Sequence, residues 1–402
     1  MNTLLSTLVP YGMTWAEMLL RWLHVVAAIA WVGSSFYFVW LDNSLEAPSA
    51  PDLRERGVDG ELWAVHGGGF YNPQKYLVAP RSLPAHLHWF YWESYTTWLS
   101  GFALLSTLYF YRAGMFIVDP RVFAWSSPAL AGMAMLGFLA VGWIVYDIIC
   151  RMFGQARGGD RVVGLLVALY VLAAAWLACH LFSGRAAFLV VGAMLATSMS
   201  ANVLFWIIPG QRRVVAALRA GSAPDPKDAR RGKQRSVHNT YFTLPVVFAM
   251  LSNHYSFLYE AKHNWLVLVM LMLAGALIRQ FFVLKHKGSW RWQYWAVAVE
   301  LIAALVVALA PSPAPAAPQV AAAPVEFAQV RAIVRQRCLL CHSGAAASKG
   351  IRLDEDPSIV SHAQDIYQQV VVTRAMPLNN VTGMTDAQRG EIAQWVASGA
   401  RR

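Results

Sequence analysis

Charged residues are scarce in this chain. Only 14% of its 402 residues are Asp, Glu, Lys or Arg, whereas 57% are hydrophobic. Soluble domains carry about a quarter charged residues, so this composition argues against a soluble enzyme and indicates a membrane protein. The 17 Trp and 15 Tyr fit that class, because their amphipathic rings favour the two membrane interfaces.

Cysteine is also rare, and the four cysteines imply no disulfide framework. Cys150 and Cys179 lie in or beside apolar runs, where a single cysteine usually behaves as a small hydrophobic residue. Cys338 and Cys341 instead stand next to His342 in the stretch RCLLCHS. This C-x-x-C-H spacing is typical of a c-type haem attachment site.

Long apolar runs are what the chain has in abundance. A spanning helix needs about 20 mostly apolar residues. Eight stretches qualify, at approximately 15–41, 89–111, 126–149, 162–183, 186–208, 240–260, 264–284 and 293–311. They predict an all-α fold class, with a polytopic eight-helix transmembrane bundle in residues 1–310 that lies in a lipid bilayer.

Lys and Arg outnumber Asp and Glu by 33 to 22, and the excess lies in the third-to-fourth, fifth-to-sixth and seventh-to-eighth connections. The positive-inside rule makes that face cytoplasmic and both termini periplasmic, in a bacterial inner membrane. Because the basic residues follow this topology, we expect no nucleic-acid partner. The first 18 residues have no basic segment and no cleavage site, so we expect them to be retained.

The end of the chain has a different composition. Residues 311–325 are rich in Pro and Ala and predict an extended linker. Residues 326–402 are more charged and less aromatic, and they predict a small α-helical domain similar to a class I cytochrome c. A domain this short has a thin core, to which a covalent haem would add apolar bulk.

One haem c would be attached through Cys338 and Cys341, with His342 as an axial ligand of the iron. A thioredoxin-like redox pair is the alternative, but it requires a βαβ setting that this stretch lacks. A helical stripe of apolar residues, which begins at Phe327, leads into the motif.

The candidates for the second axial ligand are Met376, Met384 and His362. We favour Met376, because Pro377 fixes the backbone that follows it and a thioether raises the haem potential. Met384 comes directly before a predicted capping box that opens the last helix, which makes it the weaker candidate.

Three histidines, His24, His180 and His254, lie within predicted spanning stretches, where ionisable residues are costly and are functional candidates by default. At 1.5 Å per residue all three fall towards the periplasmic side. Together they are candidates for a second redox site, either a b-type haem or a metal. Taken singly, each is explained as well by a hydrogen bond to a neighbouring helix or by an interfacial position.

A denser polar and aromatic group lies on the predicted cytoplasmic side. It comprises His66, Gly67, Gly68, Gly69, Phe70, Tyr71, Lys75, His88 and Glu93. The glycines permit close approach of backbone amides to a ligand, and the aromatic rings could stack on a planar ring. The histidines, the glutamate and the lysine are candidates for a catalytic base or a charge partner. A flexible turn and an aromatic belt are the simpler alternatives.

Four stretches, RWLHVVAAIAWVGSSFYFVWLDNSL, ELWAVHGGGFY, WESYTTWLSG and NTYFTLPVVFAMLSNHY, precede the C-x-x-C-H domain. In this order they resemble the bacterial membrane-bound urate oxidase (urate hydroxylase) family with a fused cytochrome c. The resemblance implies oxidation of urate to 5-hydroxyisourate in purine catabolism. Electrons would leave through the haem to a soluble cytochrome c or a terminal oxidase, without release of peroxide.

Two other functions remain open on the residues alone. The membrane part could be an electron-transfer subunit that uses quinol or haem and has no purine substrate. It could also be a transporter with a redox sensor attached, although the sequence lacks the paired interrupted helices that are typical of transporters.

Overall fold

The computed structural model describes residues 2–76, 79–80, 82–310, 325–344 and 347–402. The N-terminal part is mostly helical. Its helices are α1 (Asn2–Ser44), α2 (Pro51–Glu55), α3 (Trp92–Leu105), α4 (Ala113–Phe116), α5 (Pro128–Phe153), α6 (Gly159–Leu181), α7 (Gly184–Ala201), α8 (Ile208–Arg219), α9 (Pro226–Leu251), α10 (Ser256–Tyr259), α11 (Asn264–His286) and α12 (Gln293–Ala308). The predicted linker 311–325 lies outside the described residues, apart from Val325.

Five helical stretches in the described residues are long and apolar enough to cross a membrane. They are Tyr11–Ser44, Pro128–Phe153, Gly159–Leu181, Gly184–Arg219 and Asn264–His286. The apolar helix α12 has only 16 residues. All eight predicted stretches coincide with helices, and these five have the length and composition that a crossing needs.

The predicted stretch 240–260 is wrong at its C-terminal end. Helix α9 stops at Leu251, and a 3₁₀ turn, Ser252–His254, separates it from the short α10. The chain leaves the helical conformation at Tyr255, with φ −127° and ψ 79°. Apolar composition continues past this break, which is why hydropathy alone did not locate it.

The connection between α1 and α3 departs from the all-α prediction. Strand β1 (Val58–Glu61) pairs antiparallel with β4 (Gln74–Tyr76), and β2 (Ala64–His66) pairs antiparallel with β3 (Gly69–Tyr71). These elements are too short to give a clear alternating pattern in the sequence. The fold is therefore mostly helical, with two small two-stranded sheets in one connection.

Helix α7 lies at the centre of the helical core and packs against α5, α6 and α9. Small residues allow the close approach, as in membrane helix pairs. A Cβ atom on Gly192 would lie 2.4 Å from Cβ of Ala249 in α9, and one on Gly142 in α5 would lie 2.4 Å from Cγ of Met194. Larger residues at either glycine would push these helices apart.

The C-terminal part is a second helical unit. Its helices are α13 (Phe327–Arg337), α14 (Asp356–Ser361), α15 (Ala363–Tyr367) and α16 (Asp386–Ala397). The predicted apolar stripe of α13 is buried against Ile392 and Trp395 of α16, both fully buried. The predicted capping box is confirmed, because the Thr385 hydroxyl accepts from the Gln388 amide and the Gln388 side chain accepts from the Thr385 amide.

The two helical units touch at one point that bears on function. The 3₁₀ segment Leu378–Asn380 packs against α4, the short helix that follows α3. There Nδ2 of Asn379 donates a hydrogen bond of 2.7 Å to the backbone carbonyl of Met115. The C-terminal unit is thereby attached to the end of a predicted membrane span.

Candidate functional site

The C-x-x-C-H motif forms a single turn at the end of α13. The amide of His342 donates to the carbonyl of Cys338 at 3.0 Å, and the amide of Cys341 donates to the same carbonyl at 3.1 Å. Both thiols are free and half-buried. Burial raises the pKa of the Cys338 thiol to about 11 and also raises the pKa of Cys341, so both are protonated at neutral pH.

The imidazole of His342 is oriented by the backbone. Its Nδ1 lies 3.0 Å from the carbonyl oxygen of Ile351, and because a carbonyl only accepts, Nδ1 carries the proton. This contact selects the tautomer in which the neutral imidazole has its lone pair on Nε2, the arrangement that binds a metal ion. The amide of Leu353 also donates to the His342 carbonyl at 2.8 Å, which fixes the turn. The residues present therefore fit a covalently attached haem.

The three candidates for the second axial position have different surroundings. Met376 is half-buried at the edge of the C-terminal core, and its carbonyl accepts a 2.9 Å hydrogen bond from Nη1 of Arg389. Met384 is buried in that core, with its amide and its carbonyl both bonded to the Asn380 side chain. His362 is held by its Nδ1 on the Ser358 carbonyl at 2.9 Å. Met376 stays our prediction, since it is less enclosed than the other methionine, Met384.

The three histidines that were predicted to lie in spanning stretches are on three different elements. His24 on α1 contacts the Thr97 carbonyl at 3.0 Å through Nδ1 and packs against Gly101 of α3. His180, at the end of α6, is exposed and donates from Nδ1 to the carbonyl of the preceding turn. His254 is exposed in the 3₁₀ turn after α9. Among the described residues no group of three or more His, Cys, Asp or Glu could hold a metal ion. The second redox site stays a prediction.

The glycine-rich stretch forms the β2–β3 hairpin turn. Gly67 and Gly68 have φ of +59° and +81°, the left-handed values that a two-residue type I′ turn requires. His66, Phe70 and Tyr71 around the turn are exposed, with 78% of Phe70 accessible. A turn of this kind accounts for the glycines without a ligand.

The other predicted catalytic side chains are spread over separate elements. Lys75 on β4 forms an ion pair with Asp42 near the end of α1. His88 is exposed with its ring against Phe90, and Glu93 is in the first turn of α3. No hydrogen bond or ion pair between described residues joins His66, His88 and Glu93. Their catalytic roles stay predictions.

A buried charge network, which the sequence analysis missed, joins α5 to α9. Asp147 and Arg235 are 5% and 3% exposed, and Nη2 of Arg235 donates to Oδ1 of Asp147 at 2.7 Å. Arg151 donates from Nε to the other carboxylate oxygen at 2.7 Å, and the Trp206 indole donates to Oδ1 at 2.8 Å. Asp147 is therefore fully paired, as a buried carboxylate must be.

Polar side chains on α5, on α9 and directly after α7 extend this network. The Tyr146 hydroxyl lies 2.8 Å from Nδ1 of His238 and accepts from Nδ2 of Asn202 at 2.9 Å. The same Nδ2 lies 2.9 Å from Oδ1 of Asn239. Asn202 opens the π-helical segment Asn202–Ile207 between α7 and α8, and π-helical turns inside helices are frequent at functional sites. Asp147, in the predicted stretch 126–149, was the sequence signal that could have located this network.

A second buried charge, Arg279 on α11, has no such partner among the residues that the structure describes. Its side chain is 4% exposed, and its Nε and Nη2 make no hydrogen bond to any described residue. The guanidinium carbon lies 4.1 Å from the ring centre of Phe36 on α1. Nδ1 of His286, one of the groups that interact electrostatically with Arg279, is likewise buried and unbonded. The sequence analysis did not single out this arginine, although it lies in the predicted stretch 264–284.

Comparison with known proteins assigns a family to most of the chain. The sequence model of the family described as "Urate oxidase N-terminal" matches residues 10–310, which comprise the described helical part before the linker except for the start of α1. No curated protein and no solved structure matches the chain.

Proposed function

Since the chain belongs to the urate oxidase N-terminal family and is thereby an oxidoreductase acting on urate, we propose that it is a membrane-bound urate hydroxylase linked to a c-type haem. The family match covers residues 10–310, and the long apolar helices lie within the same range. The reaction would therefore take place in or beside the membrane domain, with residues 326–402 as the electron-accepting domain.

The proposed reaction balances without molecular oxygen. Urate and one water molecule give 5-hydroxyisourate, two protons and two electrons, since the new hydroxyl oxygen comes from water. A c-type haem, when bound, supplies a one-electron acceptor, so each urate requires two successive one-electron transfers. A soluble cytochrome c or a terminal oxidase would be the final acceptor, and no peroxide would form.

The observation that carries the haem part of the proposal is the hydrogen bond from Nδ1 of His342 to the Ile351 carbonyl. It leaves Nε2 free to bind iron beside the two thiols that would hold the porphyrin. Cys338 and Cys341 would make the covalent attachment, and Met376 would supply a second ligand to the iron. Each role uses a side chain that the C-terminal unit already holds in place.

The contact between the two helical units supports transfer from one to the other. Asn379, which bonds to the α4 backbone, lies three residues after the proposed ligand Met376. Helix α4 follows α3, which packs against α1. The residues that would hold the haem therefore belong to the unit that contacts the membrane domain. With the topology expected from the basic connections, this side is periplasmic in a bacterial inner membrane.

The proposal is tested with washed membranes that contain the full chain, kept anaerobic and supplied with urate and ferricyanide. We expect two ferricyanide ions reduced per urate consumed, and no peroxide when air replaces ferricyanide. C338A should abolish the activity, whereas C179A, which removes a buried thiol on α6, should retain it. Unchanged urate together with a haem that quinol reduces would reject the proposal and favour an electron-transfer subunit.

A further inference from the structure

We propose that Arg279 is the anion-binding residue of the urate site, and that it takes the deprotonated edge of the purine between α1, α9 and α11. The inference rests on the proposed function, because it names the site for that substrate. This site is separate from residues 66–71, 75, 88 and 93, which the sequence pattern favoured and which are mostly exposed.

The first argument is the unsatisfied charge. Arg279 lies within the apolar stretch Asn264–His286 and is 4% exposed, yet no ion pair with any described residue engages it. The residues that the structure does not describe include no Asp or Glu that could pair with this arginine. A buried cation without a partner is costly, and intramembrane ionisable residues of this kind mark substrate sites. An anionic ligand would supply the missing partner.

The second argument is which donors are unsatisfied. Nε and Nη2 form the side-on edge of a guanidinium, which donates two parallel hydrogen bonds to one planar anion. Three other arginines of this chain donate hydrogen bonds to a carboxylate from both Nε and Nη2. They are Arg121 on Asp119, Arg213 on Asp228 and Arg352 on Asp354, with donor–acceptor distances between 2.6 and 3.1 Å. Arg279 presents the same edge, and no described residue accepts a hydrogen bond from it.

The third argument is the surroundings, which suit a flat aromatic ligand. The guanidinium carbon lies over the ring of Phe36, 4.1 Å from the ring centre, a cation–π contact that uses none of the N–H groups as hydrogen-bond donors. Tyr241 of α9 interacts electrostatically with the guanidinium, and its hydroxyl donates to Oε1 of Gln280. His286 adds a buried ring nitrogen that is not yet bonded. Aromatic faces with few polar groups are typical of small-molecule sites.

The backbone of α9 adds one acceptor. Pro245 lies inside this helix and has no N–H, so the carbonyl of Tyr241 loses its usual helical donor. Pro245 also packs against Gly275, where a Cβ atom would lie 3.4 Å from its Cδ. Gly275 is one helical turn before Arg279 on α11, so the part of α9 around Pro245 lies beside the helical turn that leads to the arginine. A carbonyl there could accept one of the N–H groups of urate.

Urate has the chemistry for this site. It is a planar monoanion at neutral pH, with carbonyl oxygens and ring nitrogens in one plane and N–H donors on its other edges. One oxygen and the adjacent deprotonated nitrogen would take the two N–H groups of Arg279. The remaining N–H groups would meet the α9 carbonyl and His286.

The test measures urate binding without turnover. The full-length holoprotein in nanodiscs is reduced with ascorbate, so that its haem accepts no electrons, and is dialysed to equilibrium against radiolabelled urate. R279Q should weaken binding roughly 100-fold, because two charge-assisted hydrogen bonds are lost. R279K should weaken it roughly 10-fold, since an ammonium keeps the charge but not the paired donors. R213Q, which alters an arginine with the same edge already engaged, should bind as the wild type does.

Each outcome is decisive. A wild-type protein that binds no urate overturns the proposed function itself. Wild type and R279Q that bind urate equally overturn only this inference. Equal binding with anionic lipid lost from R279Q would assign the arginine to a headgroup and would also overturn it. Because the charge is unpaired, the Tm of R279Q should not fall; if R279Q does not fold, R279K carries the test.

Discussion

Nδ2 of Asn379 donates a 2.7 Å hydrogen bond to the carbonyl of Met115, and this bond joins the C-terminal helical unit to the end of a predicted membrane span. Asn379 is 4% exposed and has φ +49°, a left-handed backbone that Asn tolerates better than most residues. The position therefore needs both an unusual backbone and a side-chain donor. Few residues other than Asn provide the two together.

Removal of this donor should slow electron transfer between the units. N379G keeps the left-handed backbone but loses the hydrogen bond to α4. We expect a several-fold slower reduction of the haem by urate, with the rate of reduction by ascorbate unchanged. N380G is the matched control, because Asn380 has φ +50° and its side chain bonds to Met384 within its own unit, not to α4. Equal rates with urate in wild type and N379G would contradict the role of the contact.

The axial ligand can be assigned from the haem potential. M376H should lower the midpoint potential in a redox titration, because it replaces a thioether with an imidazole. M384L should leave the potential unchanged and cost less than about 1.5 kcal/mol in unfolding free energy, as a volume-conserving change in a core. A fall in potential in M384L but not in M376H would reverse the assignment.

The effects of Asp147 and Arg235 on the free energy of unfolding should be coupled, because the two side chains form a buried ion pair. R235M should destabilise the membrane domain by about 3–5 kcal/mol, because it removes one partner of a buried carboxylate. D147L combined with R235M should cost much less than the sum of the two single changes, in a thermal-unfolding cycle in nanodiscs. Additive costs would show that the remaining partners, Arg151 and Trp206, satisfy the carboxylate without Arg235.

Substitutions of the glycines in the β2–β3 hairpin distinguish a purely structural turn from a loop that binds urate. G68A places a Cβ at φ +81° and should destabilise the hairpin by about 1 kcal/mol. Gly69 does not have a positive φ, and a Cβ added there would lie 3.5 Å from its nearest neighbour, a carbon of the Tyr71 ring. G69A should therefore leave the kcat/KM for urate unchanged. If urate approaches these amides closely, G69A lowers kcat/KM instead.

The sequence predicted the helices well because their signal is local. Apolar runs indicated the eight helical stretches, and spacing alone predicted the Thr385 capping box that the structure confirms. The end of α9 was missed because the polar break at Ser252 and Asn253 is short and apolar residues resume after it, within a single hydropathy window. Strands of three or four residues in the α1–α3 connection are too short for a period to be read.

Most of the candidate site could not be predicted, because pairing between helices is not a local property. Asp147 and Arg235 are 88 positions apart, and the sequence does not say that they meet. That Arg279 lacks a partner among the described residues becomes apparent only from the three-dimensional positions of its neighbours. The predicted cytoplasmic group had the right residue types, but its hairpin and its other members lie on separate, mostly exposed elements.

The most direct test of the account is a stopped-flow experiment in which urate is mixed anaerobically with the purified, oxidised protein while the haem α-band is recorded. The account predicts that the haem is reduced by urate alone, with one urate sufficient for two protein molecules. Failure of urate to reduce the haem, in protein that ascorbate reduces fully, would contradict the central claim that urate is the electron donor to the C-terminal haem.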